Sequence, residues 1–189
     1  MTPPLAGASS VEPIHRPLGQ VPVIETERLR LRPHRASDHA TCLAIWSDPE
    51  VIRYIGGRAF NAEQVWDRLL RYAGHWSLLG YGFWAVEEKE SGRYIGDIGC
   101  ADFKRDIEPS LEGMLEFGWV LSPDTHGKGY ASEALAAALA WGQAHFGHLK
   151  SVCIISPENL ASIHVAEKAG FQRWQETVYH DSPTIVFAR

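Results

Sequence analysis

The segment with the clearest chemical potential is Gly127-Lys128-Gly129, where two glycines flank a lysine. An apolar, strand-like run ends just before it near Leu121, and an alanine-rich helical run begins directly after it. The first amides of a helix have no partner within the helix, and the helix dipole favours a negative charge beside them. Small residues such as Ala131 let an anion approach the backbone closely. The spacing therefore predicts a phosphate site that needs no metal.

Two common phosphate loops fail the test of spacing. The loop of nucleoside-triphosphate enzymes places Ser or Thr directly after its Gly-Lys pair, where this chain has Gly129. The dinucleotide fingerprint G-x-G-x-x-G requires a third glycine where Ser132 stands, and it normally follows the first strand of a chain. Taken alone, the two glycines fit a plain strand-to-helix turn better than either loop.

Composition limits the class of protein. The chain has 189 residues, of which 45% are hydrophobic and 22% charged, as is typical of one globular domain. Its net charge of -5 argues against nucleic acid as the main partner, and no apolar run is long enough to span a membrane. Three dispersed cysteines, Cys42, Cys100 and Cys153, fit a cytoplasmic location and predict no disulfide frame or zinc cluster.

The pattern of elements predicts an α/β fold. Residues 1–20 are rich in Pro, Gly and Ser and are expected to form a flexible leader, which leaves residues 21–189 as one domain. The alternating residues 23–33 predict one half-buried strand, and a helix follows from Ser37 to Trp46. The remaining predicted elements are a helix capped by Asn61, strands over 83–89, 93–103 and 111–121, a helix over 129–146, a strand over 151–156, a helix capped by Asn159, and two final strands joined at 181–183. This order predicts a mixed central sheet flanked by helices.

Two motifs carry a resemblance to a known family. His126-Gly127-Lys128-Gly129-Tyr130-Ala131 resembles the Gln/Arg-x-x-Gly-x-Gly/Ala motif of the GCN5-related N-acetyltransferase (GNAT) family, with His126 in place of the usual Gln or Arg. Asn159-Leu160-Ala161-Ser162, with Glu167 to Phe171 behind it, is similar to the second motif of that family. The opening ETERLRLRP resembles the branch that contains the ribosomal-protein (RimJ/RimL-like) and small-molecule N-acetyltransferases. The resemblance covers the chain from about Val23 to its C-terminus.

The resemblance implies a single-domain acyl-CoA N-acyltransferase fold that binds acetyl-CoA and no metal. The pyrophosphate would meet backbone amides of the glycine loop, and the pantetheine arm would pair with the backbone of Val120 and Leu121. The Trp119 amide would point at the thioester carbonyl. Asn159 could bond the pantetheine or serve only as a helix cap. The implied cofactor contacts are Trp119, Val120, Leu121, His126, Gly127, Lys128, Gly129, Tyr130, Ala131, Ser132 and Asn159.

Acetyl transfer to an amine requires a base and an acid, since a primary amine is largely protonated at neutral pH. Glu116 is the candidate base, because it lies on the strand that would carry the thioester. Asp97, Asp102, His164 and water remain alternatives. Many family members have a tyrosine acid where this chain has Ala166, so the resemblance shifts the acid role to Ser162.

The acceptor is not encoded in any motif. The first two helices and the last hairpin would build its pocket, and the resemblance implies either a protein N-terminus or a small-molecule amine. We expect direct attack in a ternary complex, with a non-catalytic acetyl-CoA sensor as the alternative.

Two other interpretations are weaker. The first is an acetyl-cysteine intermediate at Cys100 or Cys153, but these cysteines fall in apolar runs. The second is a metal between His145 and His148, but these histidines have no further ligands. Homodimers are common in the branch, so the resemblance allows one.

Overall fold

One eight-stranded sheet organises the chain, as seen in a computed structural model that describes residues 20–147 and 150–189. The elements in chain order are β1 (Ile24–Glu25), β2 (Leu29–Arg32), α1 (His39–Ser47), α2 (Pro49–Ile52), α3 (Ala62–Leu79), β3 (Phe83–Glu88), β4 (Arg93–Ala101), β5 (Leu115–Leu121), α4 (Tyr130–Phe146), β6 (Ser151–Ile155), α5 (Leu160–Lys168), β7 (Gln172–Tyr179) and β8 (Ser182–Ala188). The predicted leader lies outside the described residues except for Gln20.

The sheet is mixed, which confirms the predicted fold class. Its strand order is β1-β2-β3-β4-β5-β6-β8-β7, and the only parallel neighbours in it are β5 and β6. These two strands pair solely where Leu115 meets Ser151 and Glu116 meets Val152. Beyond Glu116 they separate, while β6 stays paired with β8 as far as Ile155. The sheet therefore opens at its centre into a gap between β5 and β6.

Helices cover both faces of the sheet, and each face has its own core. Helices α4 and α5 pack on one face over a cluster that includes Trp84 and Trp141. Helices α1 and α3 pack on the other face over a cluster that includes Trp46, Tyr72 and Phe83. Within the described residues, no helix is both long and apolar enough to cross a membrane.

The helix boundaries follow the predicted caps. The Asn61 side chain accepts the N–H of Gln64 at 2.9 Å and the Gln64 side chain accepts the N–H of Asn61 at 3.0 Å, which is a capping box at the start of α3. Gly80 ends α3 in the left-handed conformation at φ 76°, and Gly170 follows α5 at φ 87°. Both ends use a glycine because this conformation is unfavourable for residues with a Cβ.

The prediction of one strand over residues 23–33 is wrong, since the chain reverses within it. The Thr26 N–H donates to the Leu29 carbonyl at 2.9 Å, and β1 then pairs antiparallel with β2. A tertiary contact fixes this turn, because Glu133 on α4 accepts hydrogen bonds from Thr26 and Arg28. The alternating pattern contains no signal of a partner more than a hundred residues away.

The short helix α2 is absent from the predicted elements. It follows α1 directly, because the Asp48 side chain caps it by accepting the N–H of Glu50 at 2.8 Å. One further local prediction needs correction. The final hairpin turns at His180 and Asp181, with φ values of 49° and 60°, rather than at 181–183. Pro183 lies in β8, where it pairs with Val178 beyond the end of β6. A proline is tolerated there because no N–H is needed toward a further strand.

Candidate active site

Strand β5 has a free backbone edge where it leaves β6. The Leu115 N–H donates to the Lys150 carbonyl on the β6 side at 3.1 Å, and the Ser122 N–H donates to the Ile95 carbonyl on the β4 side at 2.8 Å. Successive residues of a strand direct their N–H groups to opposite sides, so the intervening amides can be assigned by alternation. Those of Trp119 and Leu121 face the gap, and that of Val120 faces β4.

The glycine loop closes one end of this gap. Gly127 and Gly129 are left-handed, at φ 75° and 80°, and a Cβ added to Gly127 would meet no atom within 4 Å. Glycine is therefore required for backbone conformation, and the space beside Gly127 is open. Helix α4 begins at Tyr130, and the Glu133 N–H donates to the Gly129 carbonyl at 3.1 Å. The amides of residues 130–132 precede that bond and have no partner inside the helix.

The acidic residue in the first turn of α4 is neutralised. Arg28 binds Glu133 at 2.6 Å and also donates to the Lys128 carbonyl at 2.8 Å. Burial would raise the pKa of the Glu133 carboxyl, but hydrogen bonds from Thr26 and Arg28 lower it below its usual value. The Arg28 guanidinium lies 4.7 Å from the centre of the Tyr130 ring. The loop therefore remains suited to an anion although a glutamate stands beside it.

The unusual His126 connects the loop to the strand before it. Its Nε2 lies 3.2 Å from the Leu121 carbonyl oxygen, so its imidazole ties the loop to the end of β5. The groups suited to an anion are therefore the backbone amides of residues 127–132 rather than this side chain. Taken together, the free edge of β5 and the loop fit an extended amide chain that ends in a pyrophosphate, as coenzyme A does.

Glu116 lies at the point where β5 leaves β6, opposite Ala101 of β4. Its carboxylate is 7% exposed and accepts hydrogen bonds at 2.7 to 2.9 Å from Arg105, whose side chain is 20% exposed. Burial raises the pKa of Glu116, and the Arg105 guanidinium opposes that rise without cancelling it. Arg105 also donates to the Tyr179 hydroxyl at 3.0 Å. Sequence reasoning missed both partners, because they come from a loop and from a distant strand.

The alternative bases are in less suitable surroundings. The Asp97 carboxylate is fully buried and accepts hydrogen bonds from Trp46, Tyr72 and Tyr94, with the His34 Nε2 at 2.8 Å. Asp102 is paired with Lys104 at 2.7 Å. Burial would raise the pKa of Asp102, but hydrogen bonds from Lys104 lower it overall. His164 is exposed on α5.

The start of α5 brings Asn159 and Ser162 together. The Asn159 Oδ1 accepts the N–H of Ser162 at 3.0 Å, so this asparagine caps the helix. The cap uses only the amide oxygen and leaves the amide nitrogen available to donate. Within the part of the chain that the structure describes, the Ser162 hydroxyl has no hydrogen-bond partner. Ala166, where many family members have tyrosine, is fully buried in the core.

The structure does not support an acetyl-cysteine intermediate or a metal between His145 and His148. Cys100 and Cys153 are buried free thiols, and burial raises the pKa of each well above the usual value, so neither supplies a reactive thiolate. The His145 Nδ1 lies 2.8 Å from the Trp141 carbonyl oxygen, and His148 is outside the described residues. Over residues 20–147 and 150–189, no three metal-ligating side chains are grouped.

Comparison with known proteins agrees with this geometry. The family model described as "Acetyltransferase (GNAT) domain" matches residues 28–172. The chain is 32% identical to the protein YkkB of Bacillus subtilis (strain 168) over 172 residues, which cover 87% of this chain and 93% of that one. It also resembles the crystal structure of an acetyltransferase from Agrobacterium tumefaciens strain C58, with a TM-score of 0.77, 27% identity, and coverage of 91% of this chain and 96% of that chain.

A more distant structure is that of RimL, a ribosomal L7/L12 alpha-N-protein acetyltransferase, in complex with coenzyme A. The two structures superpose with a TM-score of 0.72 and 16% sequence identity, covering 89% of this chain and 97% of that chain. At this identity the likeness shows the fold alone. The match of the family model over most of the chain, with the relative that is 32% identical, decides the family. The protein is a member of the GNAT family of acetyl-CoA-dependent N-acetyltransferases.

Proposed function

We propose that this enzyme transfers the acetyl group of acetyl-CoA to a primary amine by direct attack in a ternary complex. The observation that carries the proposal is the free edge of β5, whose Trp119 and Leu121 amides face the gap that ends at the glycine loop. An extended pantetheine chain pairs with such an edge as an added strand would. The amides of residues 127–132 bind the pyrophosphate, as a helix N-terminus does for other anions.

The Trp119 amide has a second role in this proposal. Negative charge develops on the thioester carbonyl oxygen during attack, and a fixed backbone donor stabilises that charge without having to reorient. The amine nitrogen forms a bond to the acetyl carbon, the carbon–sulfur bond breaks, and the sulfur leaves as a thiolate. The attacking amine must lose a proton, which a base accepts, and the departing thiolate needs a donor.

Glu116 is the proposed base that removes the proton of the attacking amine. The pKa of its carboxyl is raised by burial, which brings its basicity closer to neutral pH than that of an exposed glutamate. Arg105 holds both carboxylate oxygens near the plane of the guanidinium and so fixes the direction in which the carboxylate accepts a proton.

Ser162 is the proposed donor to the departing sulfur. Its hydroxyl lies in the first turn of α5, at the end of the strand that borders the gap, and has a free proton to donate. An alcohol is a weak acid, so the contribution is a hydrogen bond to the thiolate rather than full proton transfer. The free amide nitrogen of Asn159 is the proposed partner of a pantetheine carbonyl.

The acceptor class and branch are also part of the proposal. We place the enzyme near the ribosomal-protein branch, with either a protein N-terminus or a small molecule as the amine source. Three buried free cysteines support work in the reducing cytoplasm.

A thiol-release assay tests the proposal directly. Purified enzyme is mixed with acetyl-CoA and a panel of amines and peptides with free N-termini, and free CoA thiol is measured over time. We expect release that depends on the acceptor, with mass spectrometry showing acetylation at the amine. Tight binding of acetyl-CoA without acceptor-dependent release from any amine would instead support a sensor of acetyl-CoA.

A further inference from the structure

The proposed reaction centre lies in a cleft on the α3 face of the sheet, where Glu116, Arg105 and Phe103 are among the lining residues. The Phe103 ring is 4.6 Å from the Arg105 guanidinium carbon and 6.1 Å from the Phe83 ring. Phe83 in turn lies under Gly118, where an added Cβ would come within 3.2 Å of its ring. Gly118 precedes Trp119 on β5. The aromatic floor of the cleft therefore connects the reaction centre to the residues at its rim.

Two arginines of α3, Arg68 and Arg71, form that rim. They are three residues apart, so they project from the same side of the helix. Arg71 lies 5.9 Å from the Phe103 ring centre, and Arg68 stacks on the Trp46 ring at 3.6 Å. Both line a second surface pocket together with Asp67. Arg71 thus borders this pocket and also lies beside Phe103 of the cleft that contains Glu116.

Neither rim arginine has a carboxylate partner among the described residues. The Arg68 Nη1 has only the Tyr72 hydroxyl at 3.4 Å, and its Nε is buried without any hydrogen-bond partner. Arg71 is exposed, whereas Arg68 is partly buried. Arg68 therefore differs from Arg32 and Arg105, which also lie below the surface but each hold a carboxylate at less than 3 Å. An unsatisfied buried guanidinium N–H destabilises a folded chain unless a ligand satisfies it.

The electrostatic surroundings of Arg71 favour the binding of an anion. Desolvation lowers the pKa of its guanidinium, and the neighbouring positive charges of Arg68 and Arg105 lower it further. The chain as a whole has a net charge of -5, so carboxylates are plentiful elsewhere. Asp67 lines the same pocket but forms no ion pair with either arginine. Two adjacent cations are thus held together at one cleft without neutralisation.

We infer that the acceptor is a primary amine that also carries an oxyanion, a carboxylate or a phosphate, and that Arg68 and Arg71 bind this oxyanion while the amine reaches Glu116. This inference rests on the proposed acetyl transfer and specifies its substrate class. Guanidinium groups bind carboxylates and phosphates through paired, charge-assisted hydrogen bonds. The same two charges repel a polycationic acceptor such as a polyamine, so the rim selects by attraction and by repulsion.

Matched pairs of acceptors test the inference in the thiol-release assay. The pairs are glycine with glycinamide, phosphoethanolamine with ethanolamine, and an acidic with a neutral tripeptide, and spermidine serves as the polycation. We expect kcat/KM to be about tenfold or more higher for at least one anionic member than for its neutral partner, as one charge-assisted contact supplies. The pair that shows the difference identifies the source of the oxyanion. Equal values in every pair, or a preference for spermidine, would overturn the inference.

Variants of Arg68 and Arg71 test whether these two residues cause the preference for an anionic acceptor. Arg71→Gln, alone and with Arg68→Gln, should remove the advantage of the anionic member mainly by raising its KM, and should leave the neutral member nearly unchanged. Lys168→Gln is the matched control, since it removes one exposed positive charge at the far end of α5. Arg71→Lys should restore part of the advantage. An equal loss for both members of a pair would instead show a structural role, which thermal melting of each variant also detects.

Binding of inorganic phosphate separates this inference from the proposed function. Calorimetry is run with CoA in excess, so that the glycine loop is occupied and only the rim is available. Phosphate binding that disappears in the Arg68→Gln/Arg71→Gln variant would support the oxyanion site even if no amine were acetylated, in which case the proposed transfer alone would fail. Absence of phosphate binding to the wild-type protein, together with no difference within any pair, would overturn the inference.

Discussion

The two sides of strand β5 are built in different ways. On the cofactor side, the groups available to a ligand are backbone amides, those of Trp119 and Leu121 at the strand edge and those of the loop at residues 127–132. On the proposed acceptor side they are side chains, namely the Arg105–Glu116 pair and the two arginines Arg68 and Arg71, which have no carboxylate partner among the described residues.

Backbone donors can be presented by many sequences, whereas a side-chain site is specific to one sequence. A backbone amide is set by strand pairing and by φ, so any sequence that keeps the glycines and the strand can present the same donors. A side-chain site depends on residue type at positions that several distant segments bring together. The cofactor side therefore suits a ligand that every family member shares, and the acceptor side suits the substrate of one enzyme.

The largest effect is expected from removing one backbone donor. Trp119→Pro deletes an N–H that β4 does not use, so the sheet is kept while the proposed oxyanion donor is lost. We expect kcat to fall by about 10²- to 10³-fold, the usual effect of removing such a donor. Trp119→Ala keeps the N–H and controls for the lost indole, and steady-state kinetics compare the two. An equal loss in both variants would show that the side chain matters and the amide does not.

On the acceptor side, Glu116→Gln should lower kcat by about 100-fold at neutral pH, as loss of a general base does. The affinity for acetyl-CoA should stay unchanged, because the proposed cofactor contacts are on the other side of the strand. The wild-type rate should rise with pH as Glu116 ionises, and this limb should disappear in the variant. Glu112→Gln, at an exposed residue of the preceding loop, is the control. An unaltered rate would remove Glu116 as the base.

Arg105→Gln should change both pH dependence and stability. Without the guanidinium, the pKa of Glu116 rises further, so the rising limb of the rate should move to higher pH. Breaking a largely buried pair should lower the free energy of unfolding by about 3 kcal/mol at neutral pH. An acid whose pKa is raised by folding destabilises the folded state as the pH rises through that pKa, so the loss should shrink in acid.

Urea unfolding at acidic and neutral pH measures this loss. The control is Arg93→Gln, whose partner Asp124 forms an exposed pair with side chains 47% and 51% accessible. That variant should lose less than about 1 kcal/mol. A loss for Arg105→Gln that does not depend on pH would mean that Glu116 is not the group being titrated.

The smallest effect is expected at Ser162. Ser162→Ala removes one hydrogen bond from a hydroxyl to the departing sulfur, worth about 1 kcal/mol because sulfur is a weak acceptor, so kcat should fall about fivefold with the melting temperature unchanged. Asn159→Ala should instead lower stability by about 1 kcal/mol through loss of the helix cap. Thermal melting and steady-state kinetics separate the two. If kcat of Ser162→Ala equals that of the wild-type enzyme, Ser162 is not the donor to the departing sulfur, and water would take that role.

Most of the fold could be predicted because its elements have local signals. The capping box at Asn61, the glycines that end α3 and α5, and the apolar strands all depend on neighbours within a few residues. The prediction of one strand over residues 23–33 is wrong because a distant contact decides the local structure. The turn between β1 and β2 is held by Glu133 on α4, and nothing within residues 23–33 signals that partner.

The sequence by itself determined the proposed cofactor side, because glycine spacing, a preceding strand and a following helix specify where backbone amides lie. Tertiary structure alone decided the arrangement of side chains on the proposed acceptor side. Only folding shows that Arg105 reaches Glu116 and that β5 and β6 separate after the pairs Leu115–Ser151 and Glu116–Val152. Only folding shows, too, that Arg68 and Arg71 have no carboxylate partner among the described residues. The physical reason is that charge pairing and burial depend on which segments meet in space, and no local pattern records that meeting.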